Sequence, residues 1–537
     1  MSTSPAERMT VVEQWWCDHP DAYPSVWAYT DALSYQTGDT VRVRAFDSAE
    51  GSCRLTVIRD GATPIVVHDV TISCEAPATN EAPWRNGCGW PVSVELTIGE
   101  SWPAGGYIIE LARLTDPSAR SEHWFAVLPQ LVTADRIALI ACTCTWMAYN
   151  GWGGANHYQG IDERGFSDGR SPDLSLRRPW SRGTVWLPAG APRKGLTDEV
   201  PIGWVPRYPT LEWARAYGYP KNVASAGWAT YEAPFVRWAE RKGYTIDVLT
   251  QHDLERDPGI LEPYACAAIV GHDEYWSWAM RDTLDAWIDR VGRLARFAGN
   301  FKWQIRLEND ATTQVCFKFN VAEDDPATSD PERVSRATTC WDDPLVRRPA
   351  ALTMGSTGAR GIYVRSFAAA PRSSGGYTVY RPRHWAFDDC DLYYGDQLGA
   401  AANVFAYEVD GLDYTVTDGL PYATGADGIA PETVEILAMG LASMEEDHAN
   451  RGTVLWGGRS ELEYKAQLLY GDTSPESLER ASRGNGMMLE YQRGNGVVLN
   501  CGSCEWVNGL IRRDPFVERI TRNVLDRFLA EDRAIDR

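Results

Sequence analysis

The chain has 537 residues, of which 44% are apolar and 23% are charged, a composition typical of a folded globular protein with more than one domain. Its net charge of −21 argues against nucleic acid or an anionic membrane as the main partner, because phosphate binding needs clustered Lys and Arg. No segment approaches about 18 consecutive apolar residues, so no membrane span is expected. Residues 1–20 lack the pattern of a secretory signal, and the 12 cysteines lack the spacing of a disulfide framework, which favours a cytoplasmic protein with reduced thiols.

Residues 26–129 predict a small antiparallel β-sandwich of immunoglobulin-like architecture, preceded by an N-terminal segment at 1–25. The predicted strands alternate apolar and polar residues or are rich in β-branched residues, and they lie at 41–46, 54–58, 92–98 and 107–114. Clusters of Gly, Asp and Pro separate them. We interpret this domain as a scaffold for the rest of the chain.

Residues 130–537 predict a catalytic α/β domain with a doubly wound parallel sheet of glutamine-amidotransferase-like or flavodoxin-like type. Strands are predicted at 136–142, 244–250, 265–271 and 293–300, and the apolar runs at 136–142 and 265–271 are typical of strands buried on both faces. Helices are predicted at 233–243, at 277–292 and from Asp514 onward, and a hairpin is predicted at 487–502. Ser277 is the expected cap of the second helix, and the predicted inward faces are Met280, Leu284, Trp287, Ile288 and Val291 in that helix and Val517, Ile520, Val524 and Phe528 in the last one. Two long irregular stretches, at about 159–228 and 304–435, are interpreted as functional insertions.

The first candidate site segment is GHDEYW, at residues 271–276. It lies between a buried strand and a helix, at the edge of the sheet where open α/β folds bind ligands. An alternative interpretation is that Asp273 or Glu274 only caps the helix. A nucleophile elbow would place Ser or Cys between glycines at this turn, so its absence argues against a hydrolase of that type.

The second segment, CTCTWMAYNGWGGANHYQG at residues 142–160, follows a neighbouring strand and could therefore face Glu274. It contains Tyr149 and Tyr158, although packing in the core would also explain two tyrosines. Its glycines do not form a P-loop. Cys142 and Cys144 could bind zinc with a second pair, Cys501 and Cys504 of a CGSC motif, but buried free cysteines are also common core residues.

At these segments the sequence resembles the large, catalytic subunit of N,N-dimethylformamidase and its wider family. The resemblance covers about residues 130–530 and rests on TWMAYNGWGGANHY, GHDEYWSWAMRDTLDAWIDRVGRLARFAGNFKW, FAYEVDG and VVLNCGSCEWVNGL followed by NVLDRFL. It implies an iron-dependent hydrolase that cleaves the C–N bond of a small, linear amide. The chain is too short for that enzyme's extra lectin-like domain, and it has no proline between His272 and Glu274, so the amide itself stays open.

The resemblance implies a mononuclear Fe(III) ion bound by Tyr149, Tyr158 and Glu274. Phenolate and carboxylate are hard anionic ligands that suit Fe(III), and two phenolates with one carboxylate balance its charge. Such an ion activates water and polarises the amide carbonyl.

Three further positions match the family and are expected to be catalytic. His272 would orient a ligand or move a proton, Asn300 would hold the substrate carbonyl, and Glu408 would act as a base or protonate the leaving amine. Four tryptophans are interpreted either as walls of an apolar pocket or as packing residues: Trp146, Trp152, Trp276 and Trp303.

The expected partner is a small-molecule amide, and the resemblance also allows a small accessory subunit and a homo-oligomer. Two other functions stay open. One is a non-catalytic carbohydrate-binding or amidotransferase-like protein that lacks a nucleophile. The other is a zinc hydrolase that uses Cys142 and Cys144.

Overall fold

The structure, a computed structural model, describes residues 25–160, 170–195, 209–361, 363–364, 375–443, 455–456 and 459–530. The predictions for residues 1–24, including the comparison with a secretory signal, lie outside these residues, as do parts of both predicted insertions. None of the helices in the described residues combines the length and apolar character that a membrane crossing requires.

The N-terminal part contains two sheets whose apolar side chains pack into one cluster. The strands are β1 (Val26–Thr30), β2 (Ser34–Tyr35), β3 (Thr40–Asp47), β4 (Ser52–Arg59), β5 (Ile65–Ser73), β6 (Val94–Thr97), β7 (Gly105–Arg113) and β8 (Arg120–Val127). One sheet has the order β1-β3-β6 and the other has the order β2-β8-β7-β4-β5. Alternation places Val41 and Val43 in the cluster while Arg42 between them is exposed. The predicted boundary at residue 129 stays a prediction.

Further strands and the helices follow along the chain. The strands are β9 (Arg136–Ala141), β10 (Asp173–Ser175), β11 (Thr245–Thr250), β12 (Cys266–His272), β13 (Tyr275–Ser277), β14 (Arg293–Gly299), β15 (Trp303–Glu308), β16 (Thr313–Val315), β17 (Tyr363–Val364), β18 (Tyr377–Val379), β19 (Gln397–Leu398), β20 (Tyr407–Glu408), β21 (Tyr414–Thr417), β22 (Leu420–Ala423), β23 (Val434–Ser443), β24 (Leu455–Trp456), β25 (Arg459–Ser460), β26 (Arg483–Arg493) and β27 (Gly496–Asn500). The α-helices are α1 (Pro83–Asn86), α2 (Thr143–Tyr149), α3 (Pro209–Tyr217), α4 (Glu232–Arg241), α5 (Gln251–Arg256), α6 (Trp278–Arg290), α7 (Val321–Asp324), α8 (Ala351–Met354), α9 (Glu461–Tyr470), α10 (Pro475–Ala481), α11 (Trp506–Arg512) and α12 (Pro515–Ala530).

The prediction of a doubly wound parallel sheet is wrong. The largest sheet is mixed and has the order β11-β9-β12-β14-β27-β26-β23-β18-β19. Neighbours are parallel from β11 to β27 and antiparallel from β27 to β19. With the several smaller sheets, this makes the protein mostly β. The prediction failed because strands β18 and β19 lie inside the stretch interpreted as an irregular insertion, and they pair with distant partners.

The predicted helix at 277–292 forms as α6, and its start follows from its cap. The Ser277 hydroxyl accepts a hydrogen bond from the Met280 backbone N–H at 3.1 Å, which satisfies a donor that the helix itself leaves free. Leu284 and Ile288 are buried as predicted, but Val291 is 48% exposed because the helix has already ended at Arg290. In α12 the predicted inward face is buried at Val517, Ile520, Val524 and Phe528.

The parallel half of the sheet determines where polar side chains collect. Strands β9, β12, β14 and β27 are consecutive neighbours and all run in the same direction, so their carboxyl ends lie along one edge. The two candidate site segments, residues 142–160 and 271–276, lie at this edge, where β9 and β12 end.

Candidate active site

Two tyrosines are placed by the chain that follows β9. Tyr149 is the last residue of α2. Tyr158 lies in the following loop, where the Asn156 side-chain oxygen accepts hydrogen bonds from the backbone N–H groups of Tyr158 at 2.8 Å and Gln159 at 2.9 Å. This turn brings the two phenol rings together, with 4.5 Å between their centroids.

The oxygens of three side chains meet beyond the ends of β9 and β12. The Tyr158 hydroxyl lies 2.8 Å and 2.7 Å from the two carboxylate oxygens of Glu274, and the Tyr149 hydroxyl lies 3.1 Å from Glu274 Oε2. Glu274 is 3% exposed. The structure therefore brings together the three residues that the family resemblance implies as iron ligands.

The donor set is chemically compatible with the Fe(III) ion that the family resemblance implies. Burial, reinforced by the charge of Glu274, raises the pKa of Tyr149 and of Tyr158 well above the usual range. A highly charged cation would be needed to stabilise two phenolates here, and hard oxygen donors suit such an ion. The observed oxygen–oxygen distances also suit one small cation, since bonds of about 2 Å at right angles separate neighbouring donors by about 3 Å.

Glu274 is held from several sides. Its backbone N–H donates to the Thr145 hydroxyl at 2.9 Å, and the Trp303 indole N–H donates to Glu274 Oε1 at 2.7 Å. Burial would raise the pKa of Glu274, but its hydrogen bond with His272 and the charge of Lys318 outweigh burial and lower it. The carboxylate is thus ionised and fixed in orientation.

The three predicted catalytic residues also meet, beside Glu274. His272 Nε2 lies 2.7 Å from Glu408 Oε2 and 3.3 Å from Glu274 Oε2. Asn300 Nδ2 lies 3.2 Å from His272 Nε2 and donates to Glu408. Asn300 follows β14 with a φ of 64°, a left-handed conformation that asparagine tolerates better than most residues.

His272 forms a charged pair with its neighbours. Burial lowers the pKa of His272, but Glu408 and Glu274 outweigh burial and raise it to about 10. The other ring nitrogen, Nδ1, donates to the Ser225 carbonyl at 2.8 Å. The imidazolium is therefore oriented by a backbone carbonyl and shares a proton with Glu408.

The helix-capping interpretation of Asp273 and Glu274 does not describe their contacts. Asp273 Oδ2 accepts a 3.0 Å hydrogen bond from Arg296, whose guanidinium also pairs with Asp410 at 2.5 Å. All three of these side chains are fully buried. Asp273 therefore ties neighbouring strand ends together, while Glu274 faces the tyrosines and Ser277 caps the helix.

One of the four candidate wall tryptophans contacts the site. Trp303 donates to Glu274 as described above. The other three pack against aromatic side chains: Trp146 against Trp124 and Trp180, Trp152 against Trp27 and Trp90, and Trp276 against Phe301.

The structure adds one side chain, Lys318, that the sequence did not single out for a role. The Lys318 ammonium donates to the Tyr275 hydroxyl at 2.7 Å and lies 3.3 Å from the centre of the Tyr158 ring, and Tyr275 donates to Tyr158 at 2.7 Å. Burial lowers the pKa of Lys318 to about 7. A single lysine in a presumed insertion carried no signal that could have identified it.

Cys504, considered from the sequence only as part of a four-cysteine zinc site, lies among other partners in the structure. Among the described residues, the His, Cys, Asp and Glu side chains close enough to share one ion are His272, Glu408 and Cys504. Cys142 and Cys144, the basis of the zinc-hydrolase alternative, are buried but do not belong to this group. The CGSC motif was the available signal, together with its position after a strand.

Gly271 tests how tightly the site strand is packed. Its φ is +85°, and a Cβ atom there would lie 2.2 Å from Tyr231 Cγ, whereas at Gly243, with φ +93°, a Cβ would meet no atom within 4 Å. We expect Gly243→Ala to lower the free energy of unfolding by about 1–2 kcal/mol through backbone strain. Gly271→Ala should lower it by about 1–3 kcal/mol more through overpacking. Urea unfolding measures the free energy of unfolding of both variants. An equal loss of stability in the two would contradict the close packing of Gly271 against Tyr231.

Comparison with known proteins agrees with the resemblance found in the sequence. Residues 58–518 match the family described as N,N-dimethylformamidase beta subunit-like, C-terminal. No match was found among curated proteins. The match covers well over half of the 537 residues and confirms the predicted resemblance. The chain therefore belongs to the N,N-dimethylformamidase beta subunit-like family.

Proposed function

We propose that the protein is an iron-dependent amidohydrolase that cleaves the C–N bond of a small, linear amide. The observation that carries the proposal is the meeting of the Tyr149, Tyr158 and Glu274 oxygens beside the His272–Glu408 pair. Membership of the dimethylformamidase-like family supports the same class of reaction.

Tyr149, Tyr158 and Glu274 would hold the iron. When bound, the ion supplies Lewis acidity, which polarises a carbonyl and makes water more acidic. Trp303 and Thr145 keep the Glu274 carboxylate in place, and the burial of the site excludes bulk water. These residues therefore prepare a rigid, dry centre before the substrate enters.

The proton transfers fall to the His272–Glu408 pair. Amide hydrolysis adds water to the carbonyl carbon, breaks the C–N bond and gives a carboxylic acid and an amine. The Glu408 carboxylate would accept a proton from the water, and the His272 imidazolium would donate one to the leaving nitrogen. The two groups are 2.7 Å apart, so the proton that Glu408 accepts can pass to His272 and restore the starting pair.

Asn300 would position the substrate, since its amide group lies next to His272 and Glu408 at the end of β14. An amide N–H directed at the carbonyl oxygen stabilises the charge that develops there. Asn300 and Glu408 are 6% and 8% exposed, so the substrate must be small.

We also propose that the protein acts in an assembly, because the family description names a beta subunit. Expression alone and with candidate small subunits, followed by light scattering, tests this part. A monomer with full activity would contradict it.

Metal removal tests the proposed function. The purified protein should contain iron and should release amine from N-alkylated formamides and acetamides but not from a dipeptide. Removing the iron with a chelator should lower the rate about 10³-fold or more, because the ion contributes several kcal/mol to the transition state, and Fe³⁺ should restore it. Full activity in metal-free protein would overturn the proposal.

A further inference from the structure

A second group of ligand-type side chains adjoins the oxygen donors. His272, Glu408 and Cys504 each offer one ligand atom, these three atoms lie within 4.8 Å of one another, and all three residues are buried. His272 Nε2 lies 2.7 Å from Glu408 Oε2. The three residues come from separate elements. His272 ends β12, Glu408 ends β20, and Cys504 follows β27. The Cys504 backbone N–H donates to the Glu408 carbonyl at 3.1 Å, which joins two of these elements directly.

The chemistry of this group differs from that of the tyrosine site. Imidazole nitrogen, carboxylate oxygen and thiolate sulfur are the ligands that Zn²⁺ uses in proteins, usually with bonds of about 2.0–2.3 Å. An all-oxygen set such as Tyr149, Tyr158 and Glu274 suits a harder ion. Two neighbouring groups of ligand-type side chains, with different metal preferences, therefore lie at this edge of the sheet.

The orientation of His272 supports metal binding independently of distance. Its Nδ1–H donates to the Ser225 carbonyl at 2.8 Å, which leaves Nε2 directed toward Glu408, 2.7 Å away. Histidine ligands of metals almost always hold their second nitrogen in this way, because the hydrogen bond fixes the ring.

We infer that His272, Glu408 and Cys504 form a second cation site, which takes Zn²⁺ or a similar thiophilic divalent ion, and that an ion bound there inhibits hydrolysis. Binding replaces the Cys504 thiol proton and the proton on His272 Nε2, and both protons leave to solvent without any oxidation. The binding does not depend on the proposed function. The inhibition does, because the ion would occupy the two residues assigned to proton transfer.

The binding is tested with Co²⁺ and Zn²⁺ on the iron-loaded protein. Co²⁺ should give the near-ultraviolet charge-transfer absorption of a cobalt–thiolate bond, and added Zn²⁺ should remove it. Cys504→Ser should abolish the band and weaken Zn²⁺ binding about 100-fold or more, since even the loss of a ligand's hydrogen-bond partner weakens it about 10- to 100-fold. The matched control is Cys501→Ser, because Cys501 is a buried thiol of the same motif but lies outside the group.

The outcomes separate the two parts of the inference. A wild-type protein without the cobalt–thiolate band, or a Cys504→Ser protein that binds Zn²⁺ as tightly as wild type, would overturn the site. Circular dichroism and a Cys504→Ala variant show whether lost binding reflects lost folding. Zn²⁺ should inhibit amide hydrolysis by wild type and by Cys501→Ser at concentrations that do not inhibit Cys504→Ser. Tight binding without inhibition would refute the inhibitory role and count against His272 and Glu408 as the proton-transfer pair.

Discussion

Glu274→Gln is expected to lose its bound iron. Its rate of amide hydrolysis should fall by about 10³-fold or more, since the ion supplies several kcal/mol to the transition state. Glutamine has the size of glutamate, so the side chain should still fill its place beside Trp303. It lacks the negative charge that a cation needs, and it would place an amide group against the Tyr149 and Tyr158 hydroxyls. Iron per chain and the rate of amine release measure both effects.

Glu232→Gln is the matched control for this variant. Glu232 is another buried carboxylate, 1% exposed, and it accepts hydrogen bonds from the Cys142 backbone N–H and the Trp146 indole, both at 3.1 Å. We expect Glu232→Gln to keep its iron and its activity. If Glu274→Gln retained iron and activity at the level of this control, Glu274 would not be a ligand.

Glu408→Gln should separate proton transfer from metal binding. Because Glu408 faces His272 rather than the two tyrosines, the variant should keep its iron. The loss of a positioned base should lower kcat by about 10²- to 10⁴-fold, the usual contribution of such a group. Steady-state kinetics and metal analysis on the same preparation give both values.

The control for Glu408→Gln is Glu490→Gln, which breaks a second His–Glu pair far along the chain. His384 Nε2 lies 3.2 Å from Glu490, which also accepts from the Trp385 indole. This variant should show wild-type kcat and iron content. A Glu408→Gln protein that turned over as fast as this control would remove Glu408 from the mechanism.

The sequence predicts the buried strands of the parallel half well because each is short and mostly apolar. The predicted strands at 136–142, 265–271 and 293–300 correspond to β9, β12 and β14 with shifts of one residue. Burial on both faces makes such runs recognisable from local composition alone. The rule that ligands bind at strand ends then places Tyr149, Tyr158 and Glu274 at one edge.

Beyond the predicted hairpin at 487–502, which forms from β26 and β27, the antiparallel half of the sheet could not be predicted in the same way. β23 pairs with β26 across about forty residues of intervening chain, and its register shifts between Ile436 and Ala438. A bulge of this kind interrupts the alternation that identifies a strand. Strand order and direction depend on such distant pairing, so a local pattern could not reveal the mixed sheet.

The site was predicted in part from geometry and in part from resemblance. Glu408 lies on the two-residue strand β20, which is too short to carry a pattern, and only the family resemblance pointed to it. Lys318 and Cys504 approach the site from other parts of the chain. Their roles depend on packing between segments that no spacing rule connects.

The visible spectrum of the iron-loaded protein, measured for wild type, Tyr158→Phe and Tyr264→Phe, tests most directly whether these oxygens bind one iron. Tyr264 is a matched control, since its buried hydroxyl donates to the Asp247 carboxylate at 3.1 Å, outside the site. We predict a phenolate-to-iron absorption in wild type and in Tyr264→Phe, and a loss of both colour and iron in Tyr158→Phe. A wild-type protein that binds iron without this absorption, or a Tyr158→Phe protein with an unchanged spectrum and iron content, would contradict the account.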